Sequence, residues 1–516
     1  MPIPRQGGQL IVVDGESLTV DDVVQVSRNL EEVRLSPEAA RRMEESRKTV
    51  VEILKSDRLV YGINTGFGEL ADVVIPDREQ LDLQRNLVRS HCAGVGENLE
   101  EEYVRASMLL RANSLAKGFS GVRVEVVGTL IEMLNRRVHP VVPEIGSVGA
   151  SGDLAQLAHI AAVLMGEGLC IYDGNVLEGD SGMKRAKINP LVLEQKEGVA
   201  LINGTSVLTG IATLLIFDSL NLVKHAQIAA SMSFEALKSS PQPLDKRLGS
   251  LRPHKGHVKC ARNMLRLLKG SEIVQSHKDC SRVQDAYTIR CIPQVIGSVI
   301  DAVDYAGTIT EIEVNSVTDN PLVFAESGET LSCGNFHGQP VAIAMDHLSL
   351  AMCILGSFSE RRIARLVDSH LSGLPPFLTE KSGTHSGLMM AQCTAAALTS
   401  ENKVLAHPAS ADSIPTSAGQ EDYVSMGLLA ARNAASALKN SRKIIALEFI
   451  CAAQGLDFLR PLKPGGGVRT AHDVVRQSVR HLSEDRPLTP DVDRVLELME
   501  DRTIHMEVEK EAGKLL

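Results

Sequence analysis

The spacing of apolar positions changes character about two fifths of the way along the chain. The first fifteen residues read as a short strand, Leu10 to Val13, closed by the turn pair Asp14-Gly15. Ser36-Pro37-Glu38 then predicts a helix start: Ser at the cap, Pro in the first turn, and Met43, Val50 and Leu54 as its apolar stripe. Gly62, Gly66 and Gly68 fall within Val60 to Leu70, the composition of a loop able to change shape and serve as a lid. Helical spacing returns at about 79–93, 99–117 and 122–136. An extended stretch with Pro140 and Pro143 leads into the small-residue run Gly146 to Gly152, and a helix is expected over 153–166.

Beyond Asn203 the pattern lengthens. Four apolar helical stretches are predicted at about 205–238, 293–317, 340–371 and 419–455, with Pro, Gly and Ser-rich connections between them. Such lengths point to a bundle of long helices, and small residues such as Ala226, Ala229 and Ala236 permit close approach. Shorter helices at about 470–482 and 489–500 end the chain. The expected organisation is an N-terminal region, 1–204, and a long-helix region, 205–516, sharing one core.

Composition narrows the class. The 516 residues carry 54 Lys and Arg against 64 Asp and Glu, a net charge of −10 with no dense basic block, which disfavours a nucleic-acid partner. Nine scattered cysteines without a CxxC pair argue against a disulfide framework or a zinc cage and for a reducing, cytoplasmic setting. Met1 to Val13 has no apolar signal core. The most apolar stretches are broken by Asp218 and Lys224, or by Asp346 and His347, so no membrane span is expected. Gly62 to Gly68 does not fit a dinucleotide-binding GxGxxG. His254 and His257, without acidic or thiol company, read as surface residues rather than metal ligands.

The chemically informative run is Gly146-Ser147-Val148-Gly149-Ala150-Ser151-Gly152-Asp153-Leu154. Without a Cβ on Gly152, its amide nitrogen can approach the Ala150 carbonyl; attack and loss of water would close an imidazolone ring. Loss of water from Ser151 would then leave an exocyclic methylene, an electrophile that ordinary side chains lack. Asp153 to Gln156 has the form of a capping box, placing this group ahead of a helix N-terminus, where partial positive charge makes it more electron-poor.

This run resembles the signature of the ammonia-lyases and aminomutases that carry a methylidene-imidazolone (MIO) group built from Ala-Ser-Gly. Further ordered blocks share the resemblance: Tyr61 to Gly68, Ser90-His91, Asn203 to Ser206, Gln284 to Tyr287 with Arg290, Asp319-Asn320-Pro321, Asn335 to Gly338, and Gln420-Glu421-Asp422. Gln156 stands where the family usually has Pro, and is expected to serve the cap equally well. The resemblance implies a mainly α fold of the aspartase/fumarase-like superfamily: a long central helical bundle, with a smaller N-terminal region carrying the MIO loop. It also implies a homotetramer with active sites shared between chains, no metal and no external cofactor.

On the same resemblance, Ala150, Ser151 and Gly152 form the electrophile to which a substrate amine adds. Tyr61 matches the family's catalytic base, and Tyr287 is the other candidate for that role. Arg290 matches the residue that grips the substrate carboxylate, sharing a helix face with Tyr287. Asn203 and Gln284 are expected to donate amide hydrogens to the electrophile's oxygen or the carboxylate, and Phe336 to pack beside the ring. His91 and Glu421 address the substrate. Ser90-His91 occurs in histidine, tyrosine and aminomutase members alike, whereas the Gln420-Glu421-Asp422 run and Ser400 to Pro408 resemble the histidine-specific members. A carboxylate accepts an imidazole N–H and has no such use against a phenyl ring. The expected reaction is therefore elimination of ammonia from L-histidine to give trans-urocanate.

Three alternatives stand beside it: a tyrosine or phenylalanine lyase, an aromatic 2,3-aminomutase, and a non-catalytic helical scaffold. For Glu421 itself, local sequence offers a structural account as well, with Ser417 to Gln420 as a capping box and two acids in a helix first turn. Tyr423 and Gly419 stand where histidine-specific members often have His and Asn, which affects the shape of the pocket.

Overall fold

The computed structural model describes residues 10–56, 58–66, 68–70, 72–278 and 283–516. Phe67 of the glycine-rich run, and the first nine residues, lie outside the described residues. The fold is mainly helical, as expected, with four small sheets of two or three short strands at its edges.

Four long helices form the centre: Ser206–Ala236, Ile292–Val314, Gln339–Val367 and Gly427–Asp457. The Gln339–Val367 and Gly427–Asp457 helices lie along one another, and Ser206–Ala236 packs against both. Ser206–Ala236 is buried on almost every side, which explains its lack of a polar face. Its sequence, and that of Gln339–Val367, is long and apolar enough to cross a membrane by length and composition, which differs from the expectation above. In both helices most of the apolar window is buried inside the chain itself, 78% and 67%. Close packing uses missing side chains: a Cβ on Gly455 would sit 3.2 Å from that of Ala236. One hydrophobic cluster runs from Ile11 to Leu515 and includes residues from both sides of position 204.

The N-terminal part supplies the frame for the small-residue run. Helices Gln80–His91, Glu101–Ala116, Val124–Asn135 and Leu154–Leu164 appear close to their expected positions. Pro37–Leu54 begins at Ser36 as expected, although the Ser36 hydroxyl makes no cap bond; Met43 and Val50 are buried. Strands Val95–Asn98 and Pro143–Ile145 pair antiparallel and deliver the chain into Gly146. His257, expected at the surface, is only 4% exposed on the Lys255–Leu267 helix, which packs along Ile292–Val314.

Candidate active site

The segment around Ser151 is held in its turn by contacts that tolerate only glycine at two positions. Gly149 and Gly152 take φ of 78° and 81°. A Cβ on Gly149 would lie 2.1 Å from Ser425 Oγ, and one on Gly152 would lie 2.1 Å from the carbonyl oxygen of Gly204. That crowding comes from a parallel bridge between Gly152 and Gly204. The Gly204 N–H donates to Ser151 O at 3.1 Å, and the Asp153 N–H donates to Gly204 O at 2.8 Å. Gly204 is itself backed by Thr318 and Arg111: a Cβ there would meet Thr318 Oγ1 at 2.5 Å and Arg111 Nη1 at 2.9 Å.

The capping box expected over Asp153 to Gln156 does not form. Asp153 occupies the cap position of Leu154–Leu164, yet its side chain makes no bond to that helix. Its Oδ2 instead accepts the Val207 and Leu208 N–H groups, each at 2.8 Å, and so caps Ser206–Ala236. Burial pushes the Asp153 carboxyl up to about 7, against those two hydrogen bonds and the charge of Arg111. The first turn of Leu154–Leu164 is served by Ser147, whose Oγ accepts the Ala155 N–H at 3.0 Å. Gln156 donates to Pro143 O at 3.3 Å and its Oε1 has no partner, so it is not the capping residue anticipated from the sequence.

Ser151 opens onto a cavity of about 640 Å³. Tyr61, His91, Ala150, Ser151, Asn203, Phe336 and Glu421 line it, seven of the residues singled out from the sequence. A larger cavity, about 990 Å³, lies beside Phe217 and Arg442 and shares none of these residues. Its charges are largely taken up in ion pairs such as Arg28–Asp218 and Arg432–Glu144, and it offers no comparable reactive group. Among the described residues no group of three or more His, Cys, Asp or Glu is arranged to hold a metal ion.

Around Ser151 the polar atoms have defined roles. Glu421 places Oε1 3.4 Å from the Ser151 hydroxyl, which donates to it, while Oε2 accepts the Thr416 hydroxyl at 2.7 Å. The helix anticipated from 419 begins only at Gly427; residues 416–421 form a loop closed by a Thr416–Glu421 bridge. Ser417 to Gln420 therefore makes no capping box, and Glu421 lies outside any helix first turn. His91 sets its Nδ1 2.8 Å from the carbonyl of Leu87. A carbonyl can only accept, so Nδ1 carries a proton in this contact. The Tyr61 hydroxyl accepts the Gly68 N–H at 3.3 Å, tying it to its own glycine-rich loop.

Asn203 ends the short Glu197–Ile202 helix, and Thr205 holds the cap position of the next helix without a cap bond of its own. Its Nδ2 donates to Asn320 O at 3.1 Å, whereas Oδ1 is buried without a partner. The amide therefore keeps its Oδ1 acceptor and the second N–H of Nδ2, the donor expected from the sequence, uncommitted to the bond with Asn320. Behind it, Lys196 and Asp319 form a buried ion pair at 2.6 Å, and Asp319 Oδ1 accepts the Asn320 N–H at 2.7 Å. Arg111, fully buried, donates to the carbonyl of Asn203. None of Arg111, Lys196 or Thr416 was singled out from the sequence. Lys196 lies in the polar run Glu194-Gln195-Lys196-Glu197, which gives no sign that it is buried against Asp319. The wall opposite Ser151 also holds His337 and Tyr423, their rings stacked with centroids 6.0 Å apart and planes at 17°.

Gln284, Tyr287 and Arg290 do not line this cavity. Tyr287 and Arg290 do share one face of a single helical turn, the guanidinium 4.6 Å from the ring centroid. Tyr287 is 70% exposed.

Comparison with known proteins follows the same residues. The family model for aromatic amino acid lyases matches residues 18–477. A protein named histidine ammonia-lyase from Alkaliphilus oremlandii is 51% identical over 500 residues, 97% of this chain and 98% of that one. Among solved structures, histidine ammonia-lyase from Trypanosoma cruzi superposes with a TM-score of 0.91 at 39% identity, over 97% of this chain and 95% of its own. Tyrosine aminomutase from Streptomyces globisporus superposes at 0.93 with 37% identity, over 98% and 100%. Agreement that runs from before the glycine-rich loop to beyond the last long helix assigns the fold: this chain belongs to the aromatic amino acid lyase family.

Proposed function

We propose that this chain eliminates ammonia from L-histidine to give trans-urocanate, at Ser151. The observation that carries the substrate is the Glu421 carboxylate, whose Oε1 lies 3.4 Å from Ser151 Oγ in the same cavity. That oxygen is an acceptor for an imidazole N–H and would be left unmatched against a phenyl ring, a costly arrangement once water is excluded.

The residues fit an MIO group formed from Ala150, Ser151 and Gly152. Gly149 and Gly152 allow the chain to curl, the Gly204 bridge holds the curl closed, and the unpartnered Asn203 Oδ1 shows polar capacity left beside it. When formed, the group supplies an electrophilic methylene for the substrate amine, with no metal and no external cofactor. The chain's own residues do the rest. Tyr61, at the edge of the cavity, removes the β-proton as base. His91 lines the substrate side of the cavity, and Phe336 packs beside the reacting segment. Tyr287, Gln284 and Arg290 act in the cavity of a neighbouring copy, with Arg290 binding the carboxylate through two parallel N–H groups. A homotetramer is supported by the exposed apolar stripe Ile343, Leu350 and Ile354 on the Gln339–Val367 helix.

The test is purified protein supplied separately with histidine, tyrosine and phenylalanine, following the conjugated acrylate in the ultraviolet and β-amino acids by chromatography. Urocanate and ammonia should appear together from histidine. Conversion of tyrosine with histidine untouched would overturn the assignment in favour of an aromatic lyase or, if β-tyrosine forms, an aminomutase.

A further inference from the structure

We propose that Thr416 is a positioning residue for the Glu421 carboxylate and, through it, helps set which ligand the cavity accepts. This rests on the reading of Glu421 as the acceptor for the substrate's imidazole. Residues 416–421 form a closed loop: the Thr416 N–H donates to Glu421 O at 3.0 Å, and the Glu421 N–H returns to Thr416 O at 3.3 Å. Inside it, Ser417 and Ala418 take φ of 53° and 55°, a region that residues with a Cβ avoid, followed by Gly419 at 90°. Two successive residues in that region persist only where the surroundings fix them.

The second tie across the loop is the Thr416 hydroxyl, 2.7 Å from Glu421 Oε2. A glutamate's terminal torsion is broad and roughly two-fold, so an unanchored carboxylate samples many planes. Anchoring Oε2 fixes that plane. It spends one oxygen on the protein and leaves Oε1, facing Ser151, as the group for a single incoming donor. Loss of the Ser151 hydroxyl during ring formation would remove the protein donor now at Oε1 and free it for substrate. One ring N–H suits such an oxygen; a planar two-donor group would need both. The same loop also abuts the glycine-rich loop, since a Cβ on Gly68 would lie 3.3 Å from Ser417 Oγ, and Gly68 holds the Tyr61 hydroxyl. The carboxylate and the base are therefore registered against one another through adjoining backbone.

The experiment compares Thr416→Val, Thr416→Ser, Glu421→Gln and the Thr416→Val/Glu421→Gln double variant, in full-length enzyme with histidine. Thr416→Val should lower kcat/KM about tenfold, the low end for one hydrogen bond to a charged group, while Thr416→Ser stays within about twofold of the parent. In the Glu421→Gln background, Thr416→Val should cost no more than about twofold, because the charged acceptor it orients is gone. The mass deficit of two waters should persist throughout. If Glu421→Gln lowers turnover but Thr416→Val does not, the inference fails and the role of Glu421 stands. Equal losses from Thr416→Val in both backgrounds would make Thr416 a loop support only, which also overturns it. If Glu421→Gln leaves histidine turnover intact, the substrate reading itself fails. Should Thr416→Val not fold, Thr416→Ala serves the same cycle.

Discussion

Two buried carboxylates show how differently the bundle and the cavity are built. Glu448, in the C-terminal half of the Gly427–Asp457 helix, accepts four hydrogen bonds: Ser233 and Arg362 Nε on one oxygen, Ser359 and Arg362 Nη2 on the other, all between 2.5 and 2.7 Å. Asp153, next to Ser151, receives only two backbone N–H groups, both on Oδ2, and burial lifts its carboxyl to about 7. Nearby, Asn203 Oδ1 and Gln156 Oε1 have no partner, and Ser417 and Ala418 sit in a disfavoured backbone region. At Glu448 the acceptor capacity is spent on holding helices together. Around Ser151 part of that capacity is unspent.

The largest effect expected from breaking this contrast is chemical. Ser151→Ala should abolish nearly all turnover with little change in melting temperature, since Ser151 supports no part of the core. The parent protein should weigh two waters less than its translated mass, with the deficit in the peptide containing Ala150 to Gly152. An active enzyme with an unmodified peptide would end the MIO assignment. Tyr61→Phe keeps the ring and loses the hydroxyl, and should fall short of that loss, by about 10²–10⁴ in kcat as for general base catalysis. Near-normal turnover would move the base to Tyr287.

A change in the bundle should show the opposite signature. Arg362→Met leaves Glu448 buried without its cation, a lesion worth about 3–5 kcal/mol of stability. Urea unfolding should report that loss, while kcat of the protein that remains folded stays near the parent value. A selective loss of kcat would show that the two regions are not separable.

The smallest effect is a dependence on pH far from Ser151. His505, on the Thr503–Ala512 helix, lies with Nδ1 3.3 Å from Nε2 of His225, on Ser206–Ala236. Burial lowers both, and His505 falls to about 4 from an ordinary 6.5. The unfolded chain then binds more protons than the folded one between those values, so stability is full above pH 6.5 and declines on acidification toward 4. Urea midpoints measured across that window should fall, and His505→Phe should flatten the slope. An unchanged slope would mean that other groups govern the acid limb.

Much of this was legible in the chain because it depends on local order. The four long helices announce themselves by long stretches of helical apolar spacing, and the small-residue run by its composition. What escaped was decided at a distance. Asp153 reads as the cap of the helix it precedes, yet it caps one starting 53 residues later, because the Gly152–Gly204 bridge brings that helix end alongside. Glu421 reads as a first-turn acid for the same kind of reason; the Thr416 bridge and the left-handed residues postpone the helix to Gly427. The Val20–Arg28 helix was missed although its Thr19–Asp22 capping box is present in the sequence. Gln284, Tyr287 and Arg290 stand outside the cavity, which no periodicity in their own segment could report.

Ala-Ser-Gly is a common tripeptide, and the bridge to Gly204 explains why it is not a portable one. Grafted into another protein's loop, the three residues would carry over the atoms of the ring without their confinement. The confinement comes from Gly204, which closes against Gly152, and from Thr318 and Arg111, which stand behind it. Those contributors are separated by some two hundred positions and meet in the folded chain. An engineer seeking the proposed electrophile elsewhere would have to transplant a junction of four chain segments rather than a sequence. For the same reason, the two-water mass deficit proposed for this chain should report on correct folding as well as on chemistry.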